Sequence, residues 1–352
     1  MNIDNTPALH NNAEVIKIAN YISGNHKVKQ RKDFVFKDKQ YTTAKIILQS
    51  IKTVIDFHSS YLCGNPVTLN GDKAKLEALN AIYRKGAYNN VDYLIANNLY
   101  TFGNAFEYVY RDTDGVIKSK IIRAQDSFPI YDSNGFYTKF VEKWIDNVNN
   151  ITHSIVYYPK TVQEFVDDTM INEYRNTTGL PIHYTNGNID LSGFFGVPLT
   201  DDLIPIQDEI EALLSKMSDS VGTLSLNPIG VSSGDRVDAN VDADVSGPVL
   251  NIESGGTFSW ATAQLDTPAI SKILDNLINQ YYTVAQVPSV LYGQSNVANV
   301  SEVSLKLLFN GADNLAKKTR NQMLLGFAKR LEYIGGLMGM DFSDVDIAFN
   351  FN

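Results

Sequence analysis

The chain has 352 residues, of which 44% are hydrophobic and 20% charged, as in an ordinary globular protein with a sizeable core. Its net charge of -9 argues against a generic nucleic-acid binder with a basic face, and its single cysteine, Cys63, excludes an intrachain disulfide and fits a reducing cytoplasm. No apolar stretch approaches the length of a membrane span, and residues 1–12 lack a secretion signal, so we expect the protein to stay in the compartment that makes it.

The first part of the chain is predicted to be α+β. Apolar residues at helical spacing predict a helix over 41–63, which Gly64-Asn65-Pro66 ends, and two more over 72–84 and 89–101. Asn89 or Asn90 is expected to cap the last of these. Alternation with period two, broken by turn residues, then predicts two hairpins, with strands at 105–110 and 116–122 and at 140–145 and 151–158. Residues 160–198 are mixed and rich in glycine.

From Thr200 the pattern becomes helical, with Asp201 or Asp202 as the cap and Pro205 in the first turn. The apolar stripe of this helix consists of Leu203, Ile206, Ile210, Leu213, Leu214, Met217 and Val221. Residues 223–263 contain short extended runs at 248–252 and 257–261. Thr267-Pro268 then predicts the start of a second helix, whose apolar stripe runs from Ile270 to Tyr281.

A polar loop, Tyr292 to Val300, follows Pro288, which ends the second helix. The spacing of Asn299 and Glu302 resembles a capping box and predicts a further helix. That helix could run from Ser301 to about Ile334, roughly 50 Å at 1.5 Å per residue, with a kink at Gly311. The alternation from Val345 to Phe351 predicts a final strand.

Charge is segregated along the chain. Residues 201–266 contain twelve acids against Lys216 and Arg236, a net charge of -10, so the rest of the chain sums to +1. Residues 303–331 reverse the sign, with six Lys or Arg residues against Asp313. A solvated helix face is the plainest interpretation of the acidic run, but such segregation asks for a functional explanation.

Motifs of enzymes and metal sites are missing from the sequence. It contains no phosphate-binding G-x-x-x-x-G-K-[ST] loop, and its five histidines are scattered without metal-ligand spacing. Asp238, Asn240 and Asp242 open like a calcium loop, but Ala243 and Val249 stand where that loop needs glycine and glutamate. We therefore predict that the protein is not an enzyme and that it binds neither a cofactor nor a metal. A pair of carboxylates acting on a glycosidic bond stays open, because acids are abundant.

Several segments, taken in order, resemble the portal family of long-tailed phages, the branch typified by Bacillus phage SPP1. The resembling segments are Tyr61 to Val67, Leu99 to Gly115 (LYTFGNAFEYVYRDTDG), Phe128 to Asp132, Val287-Pro288 with Leu291-Tyr292-Gly293, Ser301 to Lys306 and Val345 to Phe349. Each motif is short, and their order over about 60–350 makes the resemblance specific. Two features depart from the family: Glu302 stands where glycine is usual, and the chain ends soon after Phe349, so we expect a minimal or absent crown.

The resemblance implies an α+β portal fold with named parts. These are a wing over 1–199, stem helices over 200–222 and 264–286, a small β-containing clip over 223–263, a tunnel loop over 287–301, a long kinked helix over 302–338 and a C-terminal wing strand over 339–352. It further implies a ring, usually of twelve subunits, at one capsid vertex, assembled in the host cytoplasm. The expected partners are double-stranded DNA passing without sequence specificity, terminase, head-completion or adaptor proteins, and the major capsid and scaffold proteins, with no membrane.

The same resemblance assigns site residues. The tunnel loop would present Tyr292, Gly293, Gln294, Ser295, Asn296, Val297 and Asn299 to the duplex. An acidic channel wall of Asp202, Glu209, Glu211 and Asp219 would repel phosphates and let DNA slide. The basic residues Lys306, Lys317, Lys318 and Arg320 could make a few phosphate contacts or pair with acids of a neighbouring subunit. Two other interpretations remain, another head–tail adaptor subunit and a carboxylate-based hydrolase.

Overall fold

The protein is described from a computed structural model. The structure describes residues 6–36, 39–221, 229–233, 257–261, 267–292 and 302–350. Within these ranges lie the helices α1 (Thr6–Ile22), α2 (Ser50–Cys63), α3 (Lys73–Lys85), α4 (Tyr88–Phe102), α5 (Leu199–Ser220), α6 (Thr267–Val284) and α7 (Glu302–Met338).

The strands of the described ranges form antiparallel sheets. In chain order they are β1 (Phe34–Phe36), β2 (Lys39–Tyr41), β3 (Thr68–Asn70), β4 (Asn104–Arg111), β5 (Ile117–Ile122), β6 (Ser127–Tyr131), β7 (Tyr137–Asp146), β8 (Ile151–Tyr157), β9 (Thr161–Val166), β10 (Thr169–Arg175), β11 (Ile182–Thr185), β12 (Ile229–Ser233), β13 (Thr257–Ala261) and β14 (Asp346–Ala348). The largest sheet has the order β10-β9-β8-β7-β6 and the next β11-β4-β5. The pairs β1-β2, β12-β13 and β14-β3 form two-stranded sheets.

The chain divides into two compact units. The first comprises residues 1–25, 49–206 and 280–352, and the second comprises residues 26–48 and 207–279. The first unit therefore holds the two larger sheets together with α1 to α4 and α7. The second holds the strand pairs β1-β2 and β12-β13, the part of α5 from Gln207 onward and the part of α6 up to Asn279.

Two apolar clusters form part of the core of the first unit. One contains Ala8, Phe128, Val141, Val156 and Phe195, so it joins α1 to the five-stranded sheet. The other contains Phe106, Ile122, Phe140, Tyr157 and Val162, side chains from both larger sheets. Burial of these large side chains is the main stabilising contribution of such a core, about 1.5–3 kcal/mol for each fully buried one.

The turn between α4 and β4 explains why a glycine precedes the first hairpin. Gly103 has φ +75°, and a Cβ there would lie 2.1 Å from the carbonyl oxygen of Gly196, whose own Cβ would lie 2.1 Å from the carbonyl oxygen of Gly103. Two backbones thus cross where neither can carry a side chain. The next residue, Asn104, is fully buried, donates to the carbonyl of Gly196 at 3.2 Å and accepts from its amide at 2.9 Å.

An ion cluster lies buried where α7 meets α4 and β4. The Arg330 side chain is 0% exposed. It donates from Nη1 to Asp92 Oδ1 at 2.6 Å and from Nε to Glu107 Oε1 at 2.8 Å. Its guanidinium lies over the rings of Tyr88 and Phe327, 5.1 and 4.2 Å from their centroids. Arg330, one of the six basic residues counted over 303–331, is therefore a core residue.

Most predicted elements are confirmed, with small differences at their ends. The helices α3, α4, α5 and α6, both hairpins β4-β5 and β7-β8, and the start of α7 lie where the periodicity places them. The final strand is confirmed as β14, which pairs with β3. The predicted cap of α4 is wrong, because its N-cap is Ala87, with φ 52° and no side-chain cap bond. The extended run 248–252 and the Asn299 cap lie outside the described residues.

The predicted helix over 41–63 is too long. The helix α2 begins at Ser50, and residues 42–49 have no regular secondary structure. Their backbone N–H groups are bonded to side chains of α5 instead: Ala44 to Asp219, Ile46 to Ser215 and Leu48 to Glu211. A helix would have used these donors internally, so side-chain acceptors from a distant part of the sequence keep this segment out of a helix.

Candidate functional site

The acidic helix α5 carries a row of polar side chains in the second unit. Gln207, Glu211, Ser215 and Asp219 recur at every fourth position, so they lie one above another on one helix face. Residues 26–48 run along this row. Each of the four side chains bonds to that segment, which makes the row an internal anchor for part of the second unit.

Glu211 is the most buried member of the row. Its side chain is 0% exposed, and its Oε1 accepts from the amide of Leu48 at 2.8 Å, from His26 Nδ1 at 2.7 Å and from Gln207 Nε2 at 3.2 Å. Buried carboxylates need such donors to offset the loss of hydration. The carboxylate of Glu211 is therefore used in hydrogen bonds inside the second unit.

Asp219 forms the outer end of the row. Its Oδ2 accepts from Arg31 Nη2 at 2.6 Å, and its Oδ1 accepts from the amide of Ala44 at 2.7 Å. The carboxylate is 27% exposed and its arginine partner 23% exposed. The positive charge of Arg31 comes from outside the acidic segment, so part of the charge of -10 counted along the sequence is balanced in the fold.

These contacts correct the predicted acidic wall. Glu211 is buried and Asp219 is paired, so neither presents a free carboxylate on the surface of the chain. Asp202 and Glu209 are exposed, and an acidic channel wall requires exposed carboxylates. Asp202 belongs to the first unit, where it lines a cleft of 310 Å³ together with Lys318 and Gln286.

The predicted phosphate contacts lie on more than one side of α7. Lys306, Lys317 and Lys318 are exposed, whereas Arg320 is half-buried and donates to Asn321 at 3.0 Å. Lys306 and Lys317 are about three turns apart and share a face. Lys318 lies about a quarter turn away, in the cleft that Asp202 also lines. The four residues therefore do not form one continuous basic patch.

Of the side chains predicted to line the tunnel loop, only that of Tyr292 lies in the described ranges. Tyr292 stacks on Tyr282 with ring centroids 4.2 Å apart and ring planes 10° apart, and burial raises the pKa of its hydroxyl. This stack holds the approach to the loop against the end of α6. Gly293, Gln294, Ser295, Asn296, Val297 and Asn299 lie outside the described residues.

The described residues offer little for catalysis or metal binding. Among them, no group of three or more His, Cys, Asp or Glu side chains gathers where it could hold a metal ion. Cys63 is buried, which raises the pKa of its thiol far above the usual value and makes it a poor nucleophile. The candidate calcium loop at 238–249 lies outside the described ranges. Within those ranges, no helix is long and apolar enough to cross a membrane.

His183 is the most perturbed histidine of the first unit. Its Nε2 donates to Asn104 Oδ1 at 3.0 Å, and its Nδ1 accepts from the hydroxyl of Tyr131 at 2.7 Å. Burial lowers its pKa to about 3, so the imidazole is neutral at physiological pH. It ties β11 to β6 and to the turn after α4, which is the position of a structural residue.

Comparison with known proteins gives a family match and structural neighbours. The family model described as "Phage portal protein, SPP1 Gp6-like" matches residues 9–352. A chain from a structure of the virion of a native gene transfer agent particle has a TM-score of 0.53 at 12% identity, over 85% of this chain and 79% of that chain. A chain from the neck of the native particle, computed with C12 symmetry, has a TM-score of 0.53 at 11% identity, again over 85% and 79%.

A chain from the neck of the empty particle, computed with C6 symmetry, has a TM-score of 0.52 at 13% identity, over 86% of this chain and 79% of that chain. At such low identity these neighbours show a shared fold. No curated protein sequence matches the chain significantly.

Proposed function

This chain belongs to the SPP1 Gp6-like family of phage portal proteins, and from that premise we propose that it closes into a ring through which DNA enters and leaves a capsid. The observation that carries the proposal is the match of the family model to residues 9–352, nearly the whole chain. Portal proteins of this family are structural, so we infer that the subunit acts without catalysis. The ring would contain twelve copies, the number usual in the family.

The proposed location is one vertex of the virion, at the connection of head and tail, after assembly in the host cytoplasm. In the proposed ring α5 and α6 form the stem, and the β12-β13 strand pair belongs to the clip. Short paired strands can add a strand from another chain, so the clip is the proposed surface for terminase and for head-completion or adaptor proteins. The major capsid and scaffold proteins would surround the wing.

The exposed acids of α5 support the channel role. DNA carries one negative charge per about 1.7 Å of its axis, and phosphate contacts by Lys and Arg make a protein adhere. Asp202 and Glu209 would do the reverse, and a ring repeats and focuses their field. Lys306 and Lys317 would add a few screened phosphate contacts, and residues 293–299 would line the narrowest point.

The apolar side of α6 supports assembly. In its stripe from Ile270 to Tyr281, only Tyr281 is buried, and Ile273 is 53% exposed. Ile270, Leu274, Leu277 and Ile278 are half-buried, and apolar rows that stay partly exposed occur on surfaces that another protein covers. In a ring, neighbouring copies would supply that cover.

Native mass spectrometry and negative-stain imaging of the purified chain test the proposal. The expected result is a closed ring with a central hole and a mass near twelve times 39.2 kDa. A compact single-copy particle at micromolar concentration would refute it. Deletion of residues 293–299 tests the loop separately: rings should still form, while the yield of DNA-filled heads should fall, and normal yield would reject a loop role.

A further inference from the structure

Two apolar features of the first unit lie on the helix pair α2–α7. The α7 patch consists of Val303 and Leu307, which are 69% and 71% exposed on successive turns of the helix. The α2 cleft is a shallow and widely open hollow of 520 Å³ lined by Thr53, Asp56, Phe57, Ser60 and Tyr61. Exposed large apolar side chains and apolar hollows are both features of protein contact surfaces.

The two features do not face each other within one chain. The ring of Phe309 stacks on the ring of Tyr61 at 6.1 Å, and the hydroxyl of Tyr61 donates to Asp313, so this side of α7 faces α2. Leu307 is two residues from Phe309, or about 200° around the helix, and therefore points away from α2. The patch of one chain accordingly cannot fill the cleft of the same chain.

A protein with two different, complementary patches that do not face each other associates head to tail. Such a contact is heterologous, and it closes into a ring when the rotation between copies divides a full turn. A contact between two identical patches would give a two-fold dimer instead. The arrangement on α2 and α7 is thus of the kind that a ring requires.

Charge favours the same pairing. The α7 patch is flanked by Lys306, and the α2 cleft includes the exposed carboxylate of Asp56. Opposite charges around an apolar contact set its register more than its strength. Every further copy of this chain offers a matching surface, which consists of the apolar cleft and the acid beside it.

We propose that the α7 patch of one subunit packs into the α2 cleft of the next, with Leu307 against Phe57 and Tyr61. This inference rests on the proposed ring and names one contact that holds it together. The contact has a direction, so each subunit uses its patch on one side and its cleft on the other.

Disulfide trapping tests the contact directly. Leu307→Cys is combined with Ser60→Cys or with Thr53→Cys, two positions that sample the register along the cleft. The native Cys63 is buried and its thiol has a raised pKa, so it does not compete. Leu325→Cys with Ser60→Cys is the matched control, because Leu325 is 69% exposed on the same face of α7 about five turns away.

The expected result under oxidation is a ladder of covalent oligomers in at least one Leu307 pair, with none in the control and none in Leu307→Cys alone. Rings without a ladder in either pair overturn the contact and leave the proposed function intact. Covalent dimers from Leu307→Cys alone overturn it as well, because they show patch against patch. A wild-type chain that stays monomeric by native mass refutes the ring, and the contact with it.

Charge insertion gives a second measurement that does not depend on register. Leu307→Glu should raise the protein concentration needed for assembly roughly tenfold or more, because it buries an unpaired carboxylate at every interface. Leu325→Glu should leave that concentration within about twofold of wild type, as surface substitutions usually do. Equal effects of the two substitutions would contradict the proposed contact.

Discussion

Replacing Arg330 by methionine should destabilise the first unit more than any other loss of a single positive charge on α7. The arginine is fully buried between Asp92 and Glu107. Methionine has a similar length and fills much of the space, so lost packing contributes little. What remains is two buried carboxylates without a cation.

The magnitude follows from the burial of all three groups. Asp92 is 3% exposed and Glu107 0% exposed, and breaking a buried ion pair from one side costs about 3–5 kcal/mol. Burial raises the pKa of Asp92 to about 6 even with Arg330 beside it. The contribution of Asp92 to the free energy of unfolding is therefore most favourable at acid pH, and it declines as the pH rises from about 4 towards about 6. Without Arg330 the pKa of Asp92 should rise further, so the cost of the substitution should grow with pH.

Guanidinium-induced unfolding measures the difference in free energy of unfolding between the wild type and Arg330→Met. Both proteins are compared at one fixed protein concentration, because assembly adds to stability. We expect about 3–5 kcal/mol near pH 8 and clearly less near pH 5. Lys329→Met is the matched control, since Lys329 is exposed and paired with exposed Glu332, a contact worth under about 1 kcal/mol.

A third variant separates charge from packing. Arg330→Met combined with Asp92→Asn and Glu107→Gln removes every charge of the cluster and should recover a large part of the loss. The reasoning is refuted if Arg330→Met costs no more than Lys329→Met near pH 8, or if its cost does not change with pH.

Three further predictions concern the helix α5, a buried histidine and a backbone crossing. Glu209→Lys should slow DNA packaging without preventing ring assembly, whereas Glu211→Lys should yield insoluble or unfolded protein; equal packaging by Glu209→Lys and wild type would count against an acidic wall. Burial lowers the pKa of His58 to about 4, so the free energy of unfolding should fall by roughly 3 kcal/mol as the pH falls from about 6.5 to about 4. His58→Gln should therefore flatten the pH dependence of the free energy of unfolding, and an unchanged slope would contradict this. Gly103→Ala should cost roughly 2 kcal/mol more in thermal unfolding than Gly115→Ala, which has a similar φ but open space around it, and similar costs would exclude a steric role for the crossing.

Local patterns were sufficient for most helices and hairpins. The pairs β4-β5 and β7-β8 alternate with period two and are joined by turn residues, so each could be predicted from a short stretch of sequence. The start of α6 follows from Thr267-Pro268, whose chemistry is equally local. The strands β9 and β10 were missed, since all seven side chains of β10 are exposed and give no alternation of apolar and polar residues.

Contacts between distant residues explain the errors. Residues 42–49 show helical spacing, but their amides bond to side chains about 165 positions later, and no local rule contains that competition. The burial of Glu211 depends on His26, which lies 185 positions earlier. One signal was available: polar side chains at every fourth position, Gln207 to Asp219, beside the apolar stripe indicate a helix face that binds something other than water.

The ion cluster around Arg330 also sets an order for biosynthesis. Asp92 and Glu107 leave the ribosome 238 and 223 residues before the arginine that pairs with them. Domains emerging from the ribosome generally fold as units, but this one is assembled from three separate stretches of chain, of which the last begins at residue 280. The nascent first unit must keep these two unpaired carboxylates in water until Arg330 has been synthesised. Its core therefore closes only after the third of these stretches has left the ribosome.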